Sequence, residues 1–412
     1  MTIPDESLKY HAIRNDISTW LMARAEINLA KKLRRYSFSY FKSPNEIRHF
    51  ISTVFEASKL KKLRGRIIRF SPKLVNSNRY ITLLGEGSLG GKGRGLAFLS
   101  NFIENVYLKK LIPDLRVAIP KTAVIGVDEF DNFLETNNLY DVIFTDKEYD
   151  HVLEAFKKAH LSDKLRKNLR AYLQVMTKPF AVRSSGLFED SLNQPFAGVY
   201  STYLLPNNHP DPERRLEDVE NAIKLVFASI YSPESRAYFN AIDYMIEEEK
   251  MAVIIQEVVG NEHNGKYYPE ISGVAQSYNF YPFSYIQPED GFAVTAIGLG
   301  AYVVGGERTH RFSPAYPKLQ LASVQDKIKA SQRYFYGINM LAWDYDLYRD
   351  GENAAIKAYE LSEAERDGTL EYTASVYDFM NDRITYDFSV KGPRIVDFSK
   401  ILQYDYFPLA PT

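Results

Sequence analysis

The sequence predicts an α+β protein in which helices and strands follow one another in no regular order. Runs rich in β-branched residues, such as YITLL, PFAVRSS and MAVIIQEVV, predict strands, and apolar residues at spacings of three and four predict helices. Their order lacks the strand–helix repetition that a doubly wound parallel sheet requires. The 412 residues are 45% apolar and 25% charged, which is ordinary for a globular protein of about two or three domains.

Composition excludes several kinds of site. The chain contains no cysteine, so disulfides, thiolate metal sites and cysteine nucleophiles are excluded. Its first residues, MTIPDESLKYHAIRND, show no apolar run behind a basic end, and apolar stretches such as MAVII are far shorter than the roughly 18 residues of a membrane span. We therefore expect a cytoplasmic protein without a membrane partner.

Charge is distributed unevenly along the chain. The net charge is −1, but residues 1–80 carry 17 Lys and Arg against 6 Asp and Glu, while the remainder carries 34 against 46. A basic arm can bind nucleic acid. Alternatively, its charges solvate helix faces or dock on the acidic body. Apolar residues at helical spacing run through the basic segment, which favours the second interpretation, so nucleic acid is the disfavoured partner.

Residues 1–77 predict a helical extension. Four apolar residues share the spacing of one helix face: Trp20, Ala23, Ile27 and Ala30. A second helix has a clear start, because Ser43 can cap it, Pro44 suits its first position and Glu46 completes a capping box. Its buried stripe would contain Ile47, Phe50, Ile51, Val54 and Phe55.

From residue 78 onward, strands and helices mix. YITLL predicts a strand, LAFLSNFIENVYLKKL a helix, VAIPKTAVI a strand and the residues after Asp128 a capped helix. A polar helical stretch covers about 146–176. PFAVRSS and VYSTYLL predict two strands joined by a loop, and 212–231 and 233–240 predict helices. Further on, MAVIIQEVV, ISGVAQSY and GFAVTAIGLG predict strands, and 319–339 predicts a helix.

A glycine-rich loop follows the first of these strands. Residues 80–98 read YITLLGEGSLGGKGRGLAF, and so many glycines let the backbone approach another group closely. The stretch 85–90 satisfies G-x-G-x-x-G, but the candidate ribose-binding acid, Glu104, lies inside the following helix. A Walker A loop also fails, because Gly93 follows Lys92 where serine or threonine is needed. Neither familiar phosphate loop fits.

A second stretch carries phosphate-binding chemistry. Residues 180–205 place Arg183 at the end of a strand, followed by Ser184 and Ser185, an acidic turn, Gly198 and another strand. Hydroxyls and free backbone N–H groups around one guanidinium suit an oligophosphate.

Together these stretches resemble the nucleotide-binding domain of phosphoenolpyruvate synthase and pyruvate phosphate dikinase, an ATP-grasp fold. The matching segments are GGKGRGL (90–96), AVRSS (181–185), Glu189-Asp190, FAG (196–198), MAVIIQEVV (251–259), ISGVAQS (271–277) and GLGAYVVGGE (298–307). The resemblance covers roughly residues 80–312. It implies a two-lobed fold: an N-terminal lobe over 78–240 and a C-terminal lobe over 241–412, incomplete at its end.

The resemblance also implies roles for single residues. Lys92 would contact the ATP phosphates and Arg183 the transferring phosphoryl group, which makes both catalytic candidates. Ser184, Ser185 and Gly198 would line the phosphate loop. The hinge that holds adenine and ribose would contain Gln256, Glu257 and Val258. The implied ligands are ATP and Mg²⁺, and the implied partner is a phosphohistidine carrier domain or protein.

Three departures from the family pattern leave two functions open. Ala301 replaces the acid of the family's G-L-G-E segment, and the closing acid-x-acid strand and L-Q-x-R segment are missing, so the Mg²⁺ ligands are expected beyond Thr412. Residues 305–310 imitate the spacing of the family's phosphocarrier histidine, but RFSPAYP follows His310 and cannot begin the required helix. The chain is therefore either an ATP-dependent phosphotransferase module or a degenerate, non-catalytic nucleotide-sensing or scaffold domain.

Overall fold

The structure is a computed structural model. It describes residues 3–36, 38–62, 65–71, 81–106, 112, 115–145, 148–187, 189, 198–242, 245–319, 322–404 and 406–410. Helices and mixed sheets alternate irregularly along these residues, which confirms the predicted α+β class. None of the described helices is both long enough and apolar enough to cross a membrane.

Four helices form the N-terminal region: α1 (Asp5–Ile13), α2 (Asp16–Ala23), α3 (Ile27–Arg34) and α4 (Pro44–Lys62). They pack around an apolar cluster of their own that includes Leu8, Leu21, Leu33 and Ile51. The helix α4 begins as predicted, since Glu46 N donates to Ser43 Oγ at 3.3 Å. The Glu46 carboxylate, however, accepts from Lys42 N at 2.9 Å.

The prediction of one helix face from Trp20 to Ala30 is wrong. The chain turns at Ala25, whose φ of 58° lies in the left-handed region, and this turn separates α2 from α3. Trp20 and Ile27 are consequently 51% and 47% exposed, while Ala30 is buried. A short turn between two helices can interrupt a periodic apolar pattern without leaving a glycine or proline in the sequence.

A six-stranded sheet organises the middle of the chain. Its strands are β1 (Ile67–Arg69), β2 (Ile81–Leu83), β3 (Thr122–Ile125), β4 (Phe180–Gly186), β5 (Thr202–Leu205) and β6 (Met251–Glu257). Their order is β1-β2-β3-β6-β4-β5, parallel from β1 to β3 and antiparallel in the other pairs. The segment assigned to the helical extension thus contributes β1 to this sheet.

Helices cover both faces of the sheet. They are α5 (Gly90–Asn105), α6 (Asp128–Thr136), α7 (Tyr140–Thr145), α8 (Tyr149–Lys158), α9 (Asp163–Leu173), α10 (Pro212–Ala228) and α11 (Pro233–Ala241). The larger core, with Phe133, Phe156 and Phe227, lies on one face. On the other face α5 packs over a smaller cluster that contains Val124 and Ile254.

Several predicted boundaries in this region shift. Helix α5 already begins at the glycines, and only the last four residues of VAIPKTAVI form a strand. Val127 occupies the N-cap of α6, so Asp128 lies within the helix and caps nothing. The stretch 146–176 contains two helices, because the Ser162 side chain accepts from Leu165 N at 3.1 Å and starts α9 anew.

The other described strands form three smaller sheets. The strand order of the first sheet is β11 (His310–Phe312), β10 (Phe292–Ala296) and β9 (Ser272–Gln276). The order of the second sheet is β13 (Ile356–Glu360), β12 (Tyr334–Asn339), β8 (Lys266–Tyr268) and β7 (Asn261–His263). The order of the third sheet is β15 (Arg383–Thr385), β14 (Ala374–Asp378) and β16 (Arg394–Val396). The accompanying helices are α12 (Ala301–Val304), α13 (Val324–Ala330), α14 (Leu347–Asp350), α15 (Leu361–Arg366) and α16 (Ser399–Tyr404).

The predicted helix over 319–339 is wrong in its second half. Among the described residues of this stretch only α13 is helical, and 334–339 forms the strand β12 between β13 and β8. Phe335 and Ile338 are fully buried in this strand, and aromatic residues favour such a pleated, half-buried surface. Residues 320 and 321 lie outside the described part of the chain.

Candidate functional site

One face of the six-stranded sheet carries two apolar clusters with polar side chains between them. The first cluster lies under α5 and includes Val124 and Ile254. In the second, Leu204 of β5 and Val258 pack against residues of the later sheets, among them Tyr267, Leu299 and Ile338. The strand register places four polar residues on this face of the sheet, between the two apolar clusters: Thr122, Arg183, Thr202 and Gln256. We call these four residues the polar gap.

Hydrogen bonds orient the side chains of the polar gap. Gln256 Nε2 donates to Thr122 Oγ1 at 3.0 Å, which turns the amide oxygen of Gln256 toward Arg183. Arg183 Nη1 donates to that oxygen at 3.3 Å. A guanidinium has five N–H donors, and among the described residues only this one is engaged. Arg183 is thus held in place with donors to spare for an anionic ligand.

The glycines of α5 let the helix touch the end of β4. An added Cβ at Gly90 would lie 1.8 Å from Ser185 O, and one at Gly91 would lie 1.6 Å from Glu189 O. Gly93 N donates to Ser185 Oγ at 2.9 Å, and Ser185 Oγ donates to Leu89 O at 2.7 Å. The glycine-rich loop therefore approaches the protein's own strand, and this contact brings the first turn of α5 beside the polar gap.

Lys92 points to the end of β4. Its ammonium group forms an ion pair with Glu189 and donates to Ser184 Oγ at 3.2 Å. Glu189 is only 3% exposed, and it also accepts from Ser184 Oγ at 3.1 Å and from Gly186 N at 3.0 Å. Lys92 therefore reaches Ser184, the residue of β4 that follows Arg183, although the lysine lies 92 residues earlier in the sequence.

A second buried glutamate fixes the turn after β4. Glu249 accepts from Leu187 N at 2.6 Å and from the Tyr200 hydroxyl at 3.1 Å. Burial, with the nearby Glu249 carboxylate, raises the pKa of Tyr200 far above its ordinary value, so its hydroxyl remains a donor. Glu189 and Glu249 together hold the backbone that leads into the loop between β4 and β5.

The residues at the end of β6 are those predicted to form the hinge. Glu257 N donates to Lys121 O and Val258 N to Pro179 O, both at 2.9 Å. Val259 follows, is 62% exposed, and among the described residues its N–H has no hydrogen-bond partner. A planar ligand at this edge would therefore find its backbone donor at Val259, one residue beyond the predicted hinge.

The structure brings most of the predicted residues together. Arg183 and Gln256 belong to the polar gap, and Glu257 and Val258 follow Gln256. Ser184 and Ser185 follow Arg183 on β4, and Lys92 contacts Ser184. The hydroxyls of Ser184 and Ser185 are engaged in the internal hydrogen bonds described above, and both residues are fully buried. Gly198 has a φ of 77°, and no atom of the described residues lies within 4 Å of a Cβ added there. Residues 190–197 lie outside the described part of the chain.

Four further residues of the candidate site were not predicted from the sequence. Glu189 stood in the Glu-Asp pair of the motif, but nothing in the sequence showed that it meets Lys92. Thr122 and Thr202 join the polar gap only through strand register, and Val259 only through the position at which β6 ends.

The departures from the family pattern have structural counterparts. His310 lies on β11, its ring near those of Phe312 and Phe398, and burial lowers its pKa. A strand position does not suit a histidine expected at a helix start. An acid-x-acid triplet, residues 344–346, lies before α14 and not in a strand, and Asp346 caps that helix. Within the described ranges, no group of three or more His, Asp or Glu residues could hold a metal ion.

Comparison with known proteins adds an independent result. The sequence matches the family model of the pyruvate phosphate dikinase AMP/ATP-binding domain over residues 86–341. A phosphoenolpyruvate synthase of Aeropyrum pernix is 29% identical over 185 residues, which are 44% of this chain and 19% of that protein. A phosphoenolpyruvate synthase of Deinococcus radiodurans is 30% identical over 180 residues, 42% of this chain and 20% of that protein. The match spans about a fifth of the length of these relatives.

Proposed function

The chain belongs to the family of the pyruvate phosphate dikinase AMP/ATP-binding domain, as its motifs predict, and on that premise we propose that it is an ATP-dependent phosphotransferase module. It would transfer a phosphoryl group from ATP to a histidine on another domain or on a partner protein. The polar gap is the proposed ATP site, in an ATP-grasp-like cleft between two lobes, and the proposed location is the cytoplasm.

One observation carries this proposal: a partly engaged arginine lies beside the start of a 16-residue helix that bears a lysine in its first turn. The N-terminus of a helix is electropositive and favours phosphate. Arg183 adds a planar fork of donors, and Lys92 adds a compact charge. Gln256 positions the guanidinium of Arg183, so little ordering of that side chain remains to be done when a phosphate binds.

The hinge supports the placement of adenine. Val258 and Leu204 expose an apolar surface next to the polar gap, where they pack with Tyr267. The N–H of Val259, beyond the end of β6, has no hydrogen-bond partner among the described residues. A flat base with one acceptor at its edge fits this combination, and its phosphates would then extend along the sheet toward Arg183 and Lys92.

In this chemistry the protein contributes mainly position and charge. Arg183 would hold the transferring phosphoryl group and Lys92 would neutralise its neighbour, while Gln256 keeps the guanidinium oriented. Bound Mg²⁺ would supply further neutralisation of the phosphates. The described residues do not offer a cluster of ligands for it, so we assign no metal ligand and no step to the ion. The acceptor histidine is sought outside this chain, since His310 is held on a strand.

A non-catalytic role is the second candidate. Ala301 in place of the family acid favours a module that binds nucleotide without turning it over. In that case the polar gap would serve to sense ATP for a larger assembly.

Calorimetric titration with ATP, AMP and adenosine, each with and without Mg²⁺, tests the proposal. We expect ATP to bind at least about 10-fold more tightly than adenosine, because charge-assisted hydrogen bonds to phosphate are worth roughly 1.5–3 kcal/mol each. ATP labelled with ³²P at its γ-phosphate then separates the two candidates in the presence of candidate acceptor domains. Label transfer supports the phosphotransferase, and binding without turnover supports the sensing module. Equal affinity for ATP and adenosine would contradict both.

A further inference from the structure

The ion pair between Lys92 and Glu189 has a consequence for any phosphate that approaches Lys92. The lysine side chain is 24% exposed, whereas the Glu189 carboxylate is almost completely buried. A phosphate that contacts Lys92 while the pair is intact comes close to a buried negative charge. Coulomb repulsion between like charges is strong there, because a partly buried site screens charge much less than water does.

Only one of the two partners can move. Glu189 is fixed on three sides: its Oε2 accepts from Gly186 N, its Oε1 accepts from Ser184 Oγ, and its backbone oxygen packs against Gly91. Lys92 has a flexible stem that reaches solvent. If Lys92 turns away, Glu189 keeps two hydrogen bonds and is not left as an unsatisfied buried charge. The exchange of partners is therefore feasible.

We propose that Glu189 is the resident counterion of Lys92. Glu189 positions the ammonium group of Lys92 before nucleotide binds, and the phosphate of the nucleotide must displace Glu189 from it. This inference rests on the proposed function and deepens it. Glu189 is thus a positioning residue that lowers the affinity of the site for phosphates, so that only a ligand with several negative charges competes with it effectively. Adenosine carries no phosphate, so its affinity does not depend on Glu189.

The variant Glu189→Gln tests this inference by calorimetry with ATP and adenosine. Glutamine keeps an acceptor for Gly186 N but removes the charge. We expect ATP to bind on the order of 10-fold more tightly to this variant, and adenosine to bind as it does to the parent. Combining the change with Lys92→Met should abolish the gain, because the gain depends on the freed ammonium group.

Glu249→Gln is the matched control. Glu249 is also a buried glutamate that accepts a backbone N–H of the same turn, so a purely structural effect of losing such a carboxylate would appear in both variants. We expect no gain in ATP affinity in Glu249→Gln, because the ion pair between Lys92 and Glu189 stays intact in that variant. Glu189→Asp is a second test in case the glutamine variant does not fold. Aspartate keeps the charge but shortens the side chain by one methylene, so ATP should bind this variant more tightly than the parent, by a smaller factor than in Glu189→Gln.

The outcomes separate this inference from the proposed function. A parent chain that binds ATP, together with Glu189 variants that bind it equally or more weakly, overturns the counterion role alone. A parent chain that does not distinguish ATP from adenosine overturns the proposed function and, with it, the premise of the counterion role.

Discussion

Replacing Gly91 with alanine is expected to lower the free energy of unfolding by about 3 kcal/mol or more, at the upper end of what overpacking usually costs. The new Cβ would lie 1.6 Å from Glu189 O and 2.6 Å from Glu189 C. Both are backbone atoms, which cannot rotate aside as the end of a flexible side chain could. Either α5 moves away from β4, or the turn that holds Glu189 shifts. Urea denaturation followed by circular dichroism measures the loss.

Gly95→Ala is the control for this prediction. It introduces the same methyl group in the same helix, but no atom of the described residues lies within 4 Å of the added Cβ. Alanine is the better helix former, so we expect a gain of up to about 1 kcal/mol. Equal stability of the two variants would show that α5 does not contact β4 as described. The Gly91→Ala chain should also bind ATP poorly, because the proposed site needs both Lys92 of α5 and Arg183 of β4 in place.

The substitution Arg183→Ala is expected to weaken ATP binding by about 10- to 100-fold, the loss of one or two charge-assisted hydrogen bonds. Adenosine should bind the variant and the parent equally. The free energy of unfolding without ligand should change by less than about 1 kcal/mol, because Arg183 makes one hydrogen bond of 3.3 Å among the described residues and is partly exposed. Calorimetric titration and thermal denaturation give these quantities.

The double variant Arg183→Ala with Lys92→Met distinguishes one shared ligand from two separate effects. If both cations contact the phosphates of one ATP molecule, the two losses should not add, since groups on one ligand are coupled. Additive losses would indicate that Lys92 and Arg183 act independently. A parent chain that binds ATP no better than Arg183→Ala would mean that the fold is retained without the site.

The sequence predicted those features that depend on neighbouring residues. The start of α4, the strands β4 and β6 and the helix α10 all have local signals, and the order of short motifs was enough to predict the family. The failures have local causes as well. A left-handed Ala25 divided one expected helix into two, and an aromatic strand, β12, was taken for a helix because its partners are distant in sequence.

Pairings between distant residues could not be predicted. The glycines near Lys92 indicated a close approach, but their partners, Ser185 and Glu189, lie about ninety residues further along the chain. Likewise, Thr122 and Thr202 belong to the polar gap because of strand register, which depends on which strands pair. The sequence thus predicted candidate residues for the chemistry, and the structure supplied the contacts between them.

Hydrogen–deuterium exchange of the full chain, with and without ATP, tests the central claim most directly, because it reports both whether nucleotide binds and where. We predict that ATP slows exchange in the first turn of α5 around Lys92 and at Val259, and that adenosine slows it at Val259 alone. Protection at neither place, or protection confined to the cavity of about 1250 Å³ that β9 and the residues near Tyr406 line, would contradict the placement of the nucleotide in the polar gap.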